Sequence, residues 1–128
     1  MPFHAVTPDQ LVWQTRPHED GEPARHVAEL SELLGAQQVR ANVWRYEPGA
    51  AGRRHRHALQ EETFVVLSGT LTMYLGEPPE QVTLPAGGVV TVDPGTPLQT
   101  HNAGAEDLIL YAHGYPPDEG AEVLASAV

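Results

Sequence analysis

Apolar residues come along this chain in short runs, some alternating with polar neighbours and some contiguous, with turn-forming residues between them. The runs are VRANVWRYE at 39–47, ETFVVLSG at 62–69, TLTMYLG at 70–76, QVTLP at 81–85, VVTVD at 89–93 and LILYAHG at 108–114. Alternation puts successive side chains on opposite faces of an extended segment. Short strands punctuated at this pace predict an all-β sandwich or barrel. Glycine and proline number twelve each and are spread along the chain rather than gathered in one linker, so no domain boundary shows. Ser68-Gly69 and the GEPPE segment at 76–80 read as hairpin turns. Helical spacing is confined to VAELSELLG at 27–35, stopped by Gly35, and the tail from Asp118 reads as a short helix or an unordered end. The organisation expected is a lead over 1–36, a barrel over 37–116 and a tail over 117–128.

The chemistry concentrates in GAAGRRHRHALQEETFVVLSG at 49–69. Its skeleton is Gly49, five residues, His55, one residue, His57, four residues, Glu62, six residues, Gly69. Imidazoles at alternate positions of a strand leave from one face, and a carboxylate at the head of the next strand can close on them. Two His and one carboxylate suit a divalent transition metal with open coordination positions. Glu61 competes for the third place, but Glu62 shares strand parity with Phe64 and Val66; if those two face the core, Glu62 faces the pocket and Glu61 faces out. Further on, GGVVTVDPGTPLQTHN at 87–102 carries Gly87, Pro94-Gly95-Thr96-Pro97, Leu98 and Asn102.

Together the two segments resemble the two motifs of the cupin superfamily, and the chain is similar to its small single-domain members, the cupin 2 conserved barrels. The resemblance implies a double-stranded β-helix, or jelly-roll, barrel and a homodimer that covers exposed sheet edges, with the strand or arm segment over 1–36 packing on the barrel or on a dimer partner. It also implies an Fe, Mn, Ni or Zn ion held by His55, His57 and Glu62. The family's fourth ligand, a His, aligns with Leu98, so weaker metal retention is expected. His101 lies three residues beyond Leu98, and regular alternation turns it to the opposite face, as it does Gln99; only a β-bulge would make His101 a ligand. Phe64, Val66, Met73 or Leu75, and Leu98 are the expected apolar lining of a small-molecule pocket, or plain barrel filling. Tyr111 and His113 are candidates beside it, with an exposed strand end as the ordinary alternative for His113. Trp44 and Tyr46 alternate on one strand face, where aromatics more often fill a core or an interface than cradle substrate.

Charge narrows the partners. Seven Lys+Arg against seventeen Asp+Glu leave a formal charge of −10, a surface that repels nucleic-acid phosphates and anionic lipid. No lysine and no cysteine occur, which excludes Schiff-base and thiolate chemistry. No apolar run approaches the ~18 residues of a membrane span, and no secretory signal opens the chain, so a cytoplasmic protein is expected. Arg53, Arg54 and Arg56 crowd the His pair, either as a solvated loop or to draw an anionic substrate. His4, His18 and His26 lack ligand spacing and read as surface residues. Two functions stay open: a metal-dependent oxygenase or isomerase of small-molecule metabolism, and a non-catalytic ligand-binding or sensor barrel with a degenerate metal site.

Overall fold

The structure, a computed structural model, describes residues 2–118 and 120–128. Two antiparallel sheets face each other. The first holds β1 (Trp13–Thr15), β2 (Arg25–Glu29), β3 (Arg40–Tyr46), β10 (Leu108–Tyr115), β5 (Glu61–Ser68) and β8 (Val89–Val92), in that spatial order. The second runs β11 (Glu122–Val123), β4 (His55–Arg56), β9 (Leu98–His101), β6 (Thr70–Leu75) and β7 (Glu80–Pro85). Every apolar run picked out along the chain is a strand, because each offers one face to the space between the sheets. Phe64, Val66, Leu71, Met73, Val92, Leu98, Leu108 and Leu110 fill that space. Each such side chain contributes about 1.5–3 kcal/mol of burial. Among the described residues no helix is long and apolar enough to cross a membrane.

Three local expectations are corrected. Ser68-Gly69 is no hairpin: β5 and β6 lie in different sheets, and Gly69 is the corner between them. Its φ is 81°, and a Cβ there would meet the Asp107 carbonyl oxygen at 2.5 Å, so only glycine turns this corner without displacing the backbone. In VAELSELLG the helix shrinks to α1 (Leu30–Leu34), capped by Gly35 in the left-handed region. Residues 27–29 belong to β2, since pairing with β3 buries Val27 and Ala28. The tail is neither helical nor loose. β11 adds to the free edge of β4, and the Leu124 N–H donates to the Arg54 carbonyl at 2.8 Å. The lead over 1–36 extends its own chain's sheet through β1 and β2.

Candidate metal centre

β4 is a two-residue strand held between β9 and β11, and it presents His55 toward the space between the sheets. Arg56, next along, points out to Glu122 at 2.7 Å. His57 follows and is buried; the turn before β9 fixes it, because the Gly95 N–H donates to the His57 carbonyl at 2.6 Å. Glu62 comes in from β5 in the opposite sheet. Its Oε1 stands 2.9 Å from His57 Nε2 and 3.6 Å from His55 Nε2. Glu61 is exposed, as the parity of Phe64 and Val66 requires.

The geometry suits a cation better than it suits the three side chains alone. Glu62 Oε1 is buried with no hydrogen-bond partner among the described residues, although His57 Nε2 stands 2.9 Å away. A buried carboxylate oxygen without a partner is costly. Ligands ~2.0–2.2 Å from a shared ion stand about 3–3.5 Å from one another, and the two measured separations bracket that range. His55, His57 and Glu62 form a set whose ligand atoms all lie within 4.8 Å. His55 Nδ1 lies 2.9 Å from the Arg53 carbonyl oxygen; donating there leaves the Nε2 lone pair facing inward. Burial works against the charged form of His55, but the Glu62 carboxylate and the Arg53 carbonyl outweigh it and raise its pKa above the ordinary 6.5.

Two neighbours had no signal in the sequence. Gln60 is buried, with Nε2 3.4 Å from His57 Nε2, and the amide has to turn aside when that lone pair takes a metal. It fits because Gly114 leaves the room: a Cβ there would run into the Gln60 side chain. Asp118 Oδ2 is 3.8 Å from His57 Nδ1, a buried nitrogen otherwise without a partner among the described residues.

Leu98 is 2 % exposed and is the register partner of His55. His101 is not brought to the cluster. β9 runs without a bulge, His101 pairs with Thr72, and its ring stacks on Tyr74 at 6.1 Å. Gln99 faces the same outer side, where its amide is held by the Gly52 carbonyl and by Ser126.

A cleft of about 1360 Å³ opens onto these three side chains. Phe64, Leu98, Leu110 and Ala112 form its apolar floor, while Trp44 and Tyr46 form a wall. Val66 and Met73 do not line it; they sit deeper, in the core, where the strands close together. Tyr111 is also absent from the lining. Its hydroxyl is 3.1 Å from Nδ1 of His113, which does line the cleft. Arg54 is buried and tied to the Gly76 carbonyl and Glu77, and Arg56 pairs with Glu122, so of the three clustered arginines Arg53 alone lines the cleft.

The Cupin domain matches residues 42–114. A search of the curated proteins finds no match. Among solved structures, an uncharacterized conserved protein with a double-stranded β-helix domain from Klebsiella pneumoniae is 26% identical. The alignment covers 95% of this chain and 97% of that one, with a TM-score of 0.72. A sugar phosphate isomerase from Silicibacter pomeroyi is 20% identical, with a TM-score of 0.78 over 98% of this chain and 83% of that one. A predicted oxalate decarboxylase from Thermotoga maritima is also 20% identical, with a TM-score of 0.76 over 89% and 100% of the two chains. The last two share the fold. With a match that takes in more than half its length, including both sequence motifs and the three converging side chains, the chain belongs to the cupin family.

Proposed function

We propose that this protein is a metal-dependent enzyme of small-molecule metabolism, of the oxygenase or isomerase type, with Fe, Mn, Ni or Zn held by His55, His57 and Glu62. The observation that carries this reading is the convergence of His55, His57 and Glu62, with the buried Glu62 Oε1 left without a hydrogen-bond partner among the described residues. Structural sites close around four protein ligands, whereas catalytic ones keep three and leave positions open to substrate. Leucine at the place facing His55 keeps such a position free and makes its surroundings apolar. A divalent ion there supplies Lewis-acid polarisation of substrate oxygens and, if redox-active, a site for O2. The chain's own residues do the rest. The Arg53 carbonyl orients His55, Glu62 contributes the negative charge, and Phe64, Leu110 and Ala112 keep water from one side of the substrate.

Leu98 also favours a second reading, a non-catalytic ligand-binding or sensor barrel, because a three-ligand site holds its metal less firmly. Elemental analysis of untagged protein purified without chelator tests the choice. A stoichiometric transition metal supports the enzyme; metal-free protein that still binds small molecules supports the module. The second copy expected of this fold would dock on β1, an outermost strand whose side chains are all exposed. Sedimentation at micromolar concentration should give a dimer, and a monomer would overturn that assignment.

A further inference from the structure

The cleft holds a second polar centre on the wall away from Glu62. Arg25, from β2, lays its guanidinium over the aromatic wall, with Cζ 5.2 Å from the Trp44 ring centre and 5.8 Å from that of Tyr46. No carboxylate among the described residues pairs with it, whereas nearby Arg16 is engaged by Glu29 at 3.4 Å. The Tyr46 and Thr100 hydroxyls are 2.7 Å apart, so one donates to the other and one O–H remains to be given away. All three groups converge beside Gly52. A Cβ built there would meet Thr100 Oγ1 at 2.7 Å, Tyr46 Oη at 3.3 Å and Arg25 Nη1 at 3.6 Å. The absent side chain at 52 thus lets two hydroxyls and a guanidinium gather close to one another, and all four residues line the cleft.

The geometry points to a carboxylate-binding subsite formed by Arg25, Tyr46 and Thr100 around Gly52, which selects small organic acids as ligands of this cavity. One guanidinium without an acid partner and one spare hydroxyl proton match a single negative charge with two acceptor oxygens. The aromatic wall below suits the flat body attached to it. Thr100 follows Leu98 on the same face of β9, and two residues of strand advance ~6.6 Å. Leu98 itself stands opposite His55. A ligand in the cleft whose carboxylate meets these three groups therefore carries its far end, a few bonds away, to the three-ligand centre. This deepens the proposed small-molecule function by naming the substrate class, but the subsite needs no metal to bind an anion.

The test uses that independence. The chain has two tryptophans, Trp13 and Trp44, so in a Trp13→Phe background the emission reports on the residue under Arg25. Metal-stripped protein, dialysed free of the chelator because that is itself a polycarboxylate, is titrated at fixed ionic strength with benzoate and with inorganic phosphate. Benzoate should change Trp44 emission saturably, and Arg25→Gln should weaken it ~10-fold or more, the worth of a charged hydrogen bond. Arg25→Lys should retain part of the binding. Gly52→Ala removes no donor but puts a Cβ 2.7 Å from Thr100 Oγ1, which forces the cluster apart, and Tyr46→Phe removes one hydroxyl; both should weaken benzoate and carry the test if Arg25→Gln does not fold. Parent-like titration in these variants, or no titration in the parent, overturns the subsite. Tighter binding of phosphate than of benzoate overturns its assignment to carboxylates. Loss of metal binding in other variants leaves every one of these readings intact, so the two proposals fail separately.

Discussion

Replacing Leu98 by histidine probes the centre most directly. The side chain is 2 % exposed and its backbone is in register with His55. Directly opposed residues in an antiparallel pair hold their Cβ atoms about 4.5–5.5 Å apart, so an imidazole at position 98 starts beside the one it would join. A fourth well-placed ligand should lower the dissociation constant for Zn(II) or Mn(II) at least about tenfold, or ~1.4 kcal/mol. The cost appears when the metal is removed. Leu98 gives up about 1.5–3 kcal/mol of burial, and the new ring adds a desolvation penalty. For a domain of this size each kcal/mol moves the melting temperature by very roughly 2–8 °C, so the stripped variant should melt ~5–15 °C below the parent. Competition against a chromophoric chelator gives the affinity, and thermal melts with and without metal give the stability. His101→Ala is the companion, and it should leave affinity unchanged because that ring stacks on Tyr74. No gain from Leu98→His together with a large loss from His101→Ala would refute the strand register.

The double change His55→Ala with His57→Ala should abolish calorimetric binding of Mn(II) or Zn(II); parent-like affinity would move the metal elsewhere. Asp118→Asn tests whether the carboxylate 3.8 Å from His57 Nδ1 orients that ring. Metal affinity should fall ~10-fold, the lower end for an outer-shell partner, and unchanged affinity would leave Asp118 a purely structural role, accepting from the Gly120 N–H at 2.8 Å and the Leu59 N–H at 3.4 Å. The third concerns pH. His55 holds its proton more tightly folded than unfolded, because burial is outweighed by Glu62 and Arg53. Stability of the stripped protein from this group is therefore full below ~6.5 and declines as pH rises through the folded value. Metal affinity should climb over the same interval as the proton leaves. Denaturant melts that are flat from pH 6 to 8 would dismiss the coupling.

Much of the fold and the convergence of His55, His57 and Glu62 was legible because both rest on strand parity, which depends on sequence neighbours. Phe64 and Val66 face the core, so Glu62 faces inward and Glu61 does not; the same reasoning keeps His101 apart from Leu98. What parity does not carry is depth and sheet exchange. Met73 and Val66 sit on the correct face yet below the cleft floor, and Gly69 resembles a hairpin because changing sheets needs the same left-handed residue as turning back. The Arg25 cluster was illegible for another reason. Its members, Arg25, Tyr46, Gly52 and Thr100, come from separate stretches of chain and meet only after the lead has added β2 to the sheet. Gln60 and Asp118 belong with them, as spacing gives neither a reason to approach His57.

The segment that closes on β4 makes retention of the ion a matter of how the far end of the chain is fastened. β4 has two residues, too few to hold its place alone, and one of its two neighbours is β11. The fastening is reinforced farther on, where the Ala127 N–H donates to Gln99 Oε1 at 2.8 Å, on the strand beside His55. Fraying from residue 120 onward would thus release one flank of a ligand-bearing strand. A fusion or affinity handle attached after residue 128 pulls on the same clasp. A preparation made that way would exchange its metal faster than one tagged at the other end, with no ligand altered.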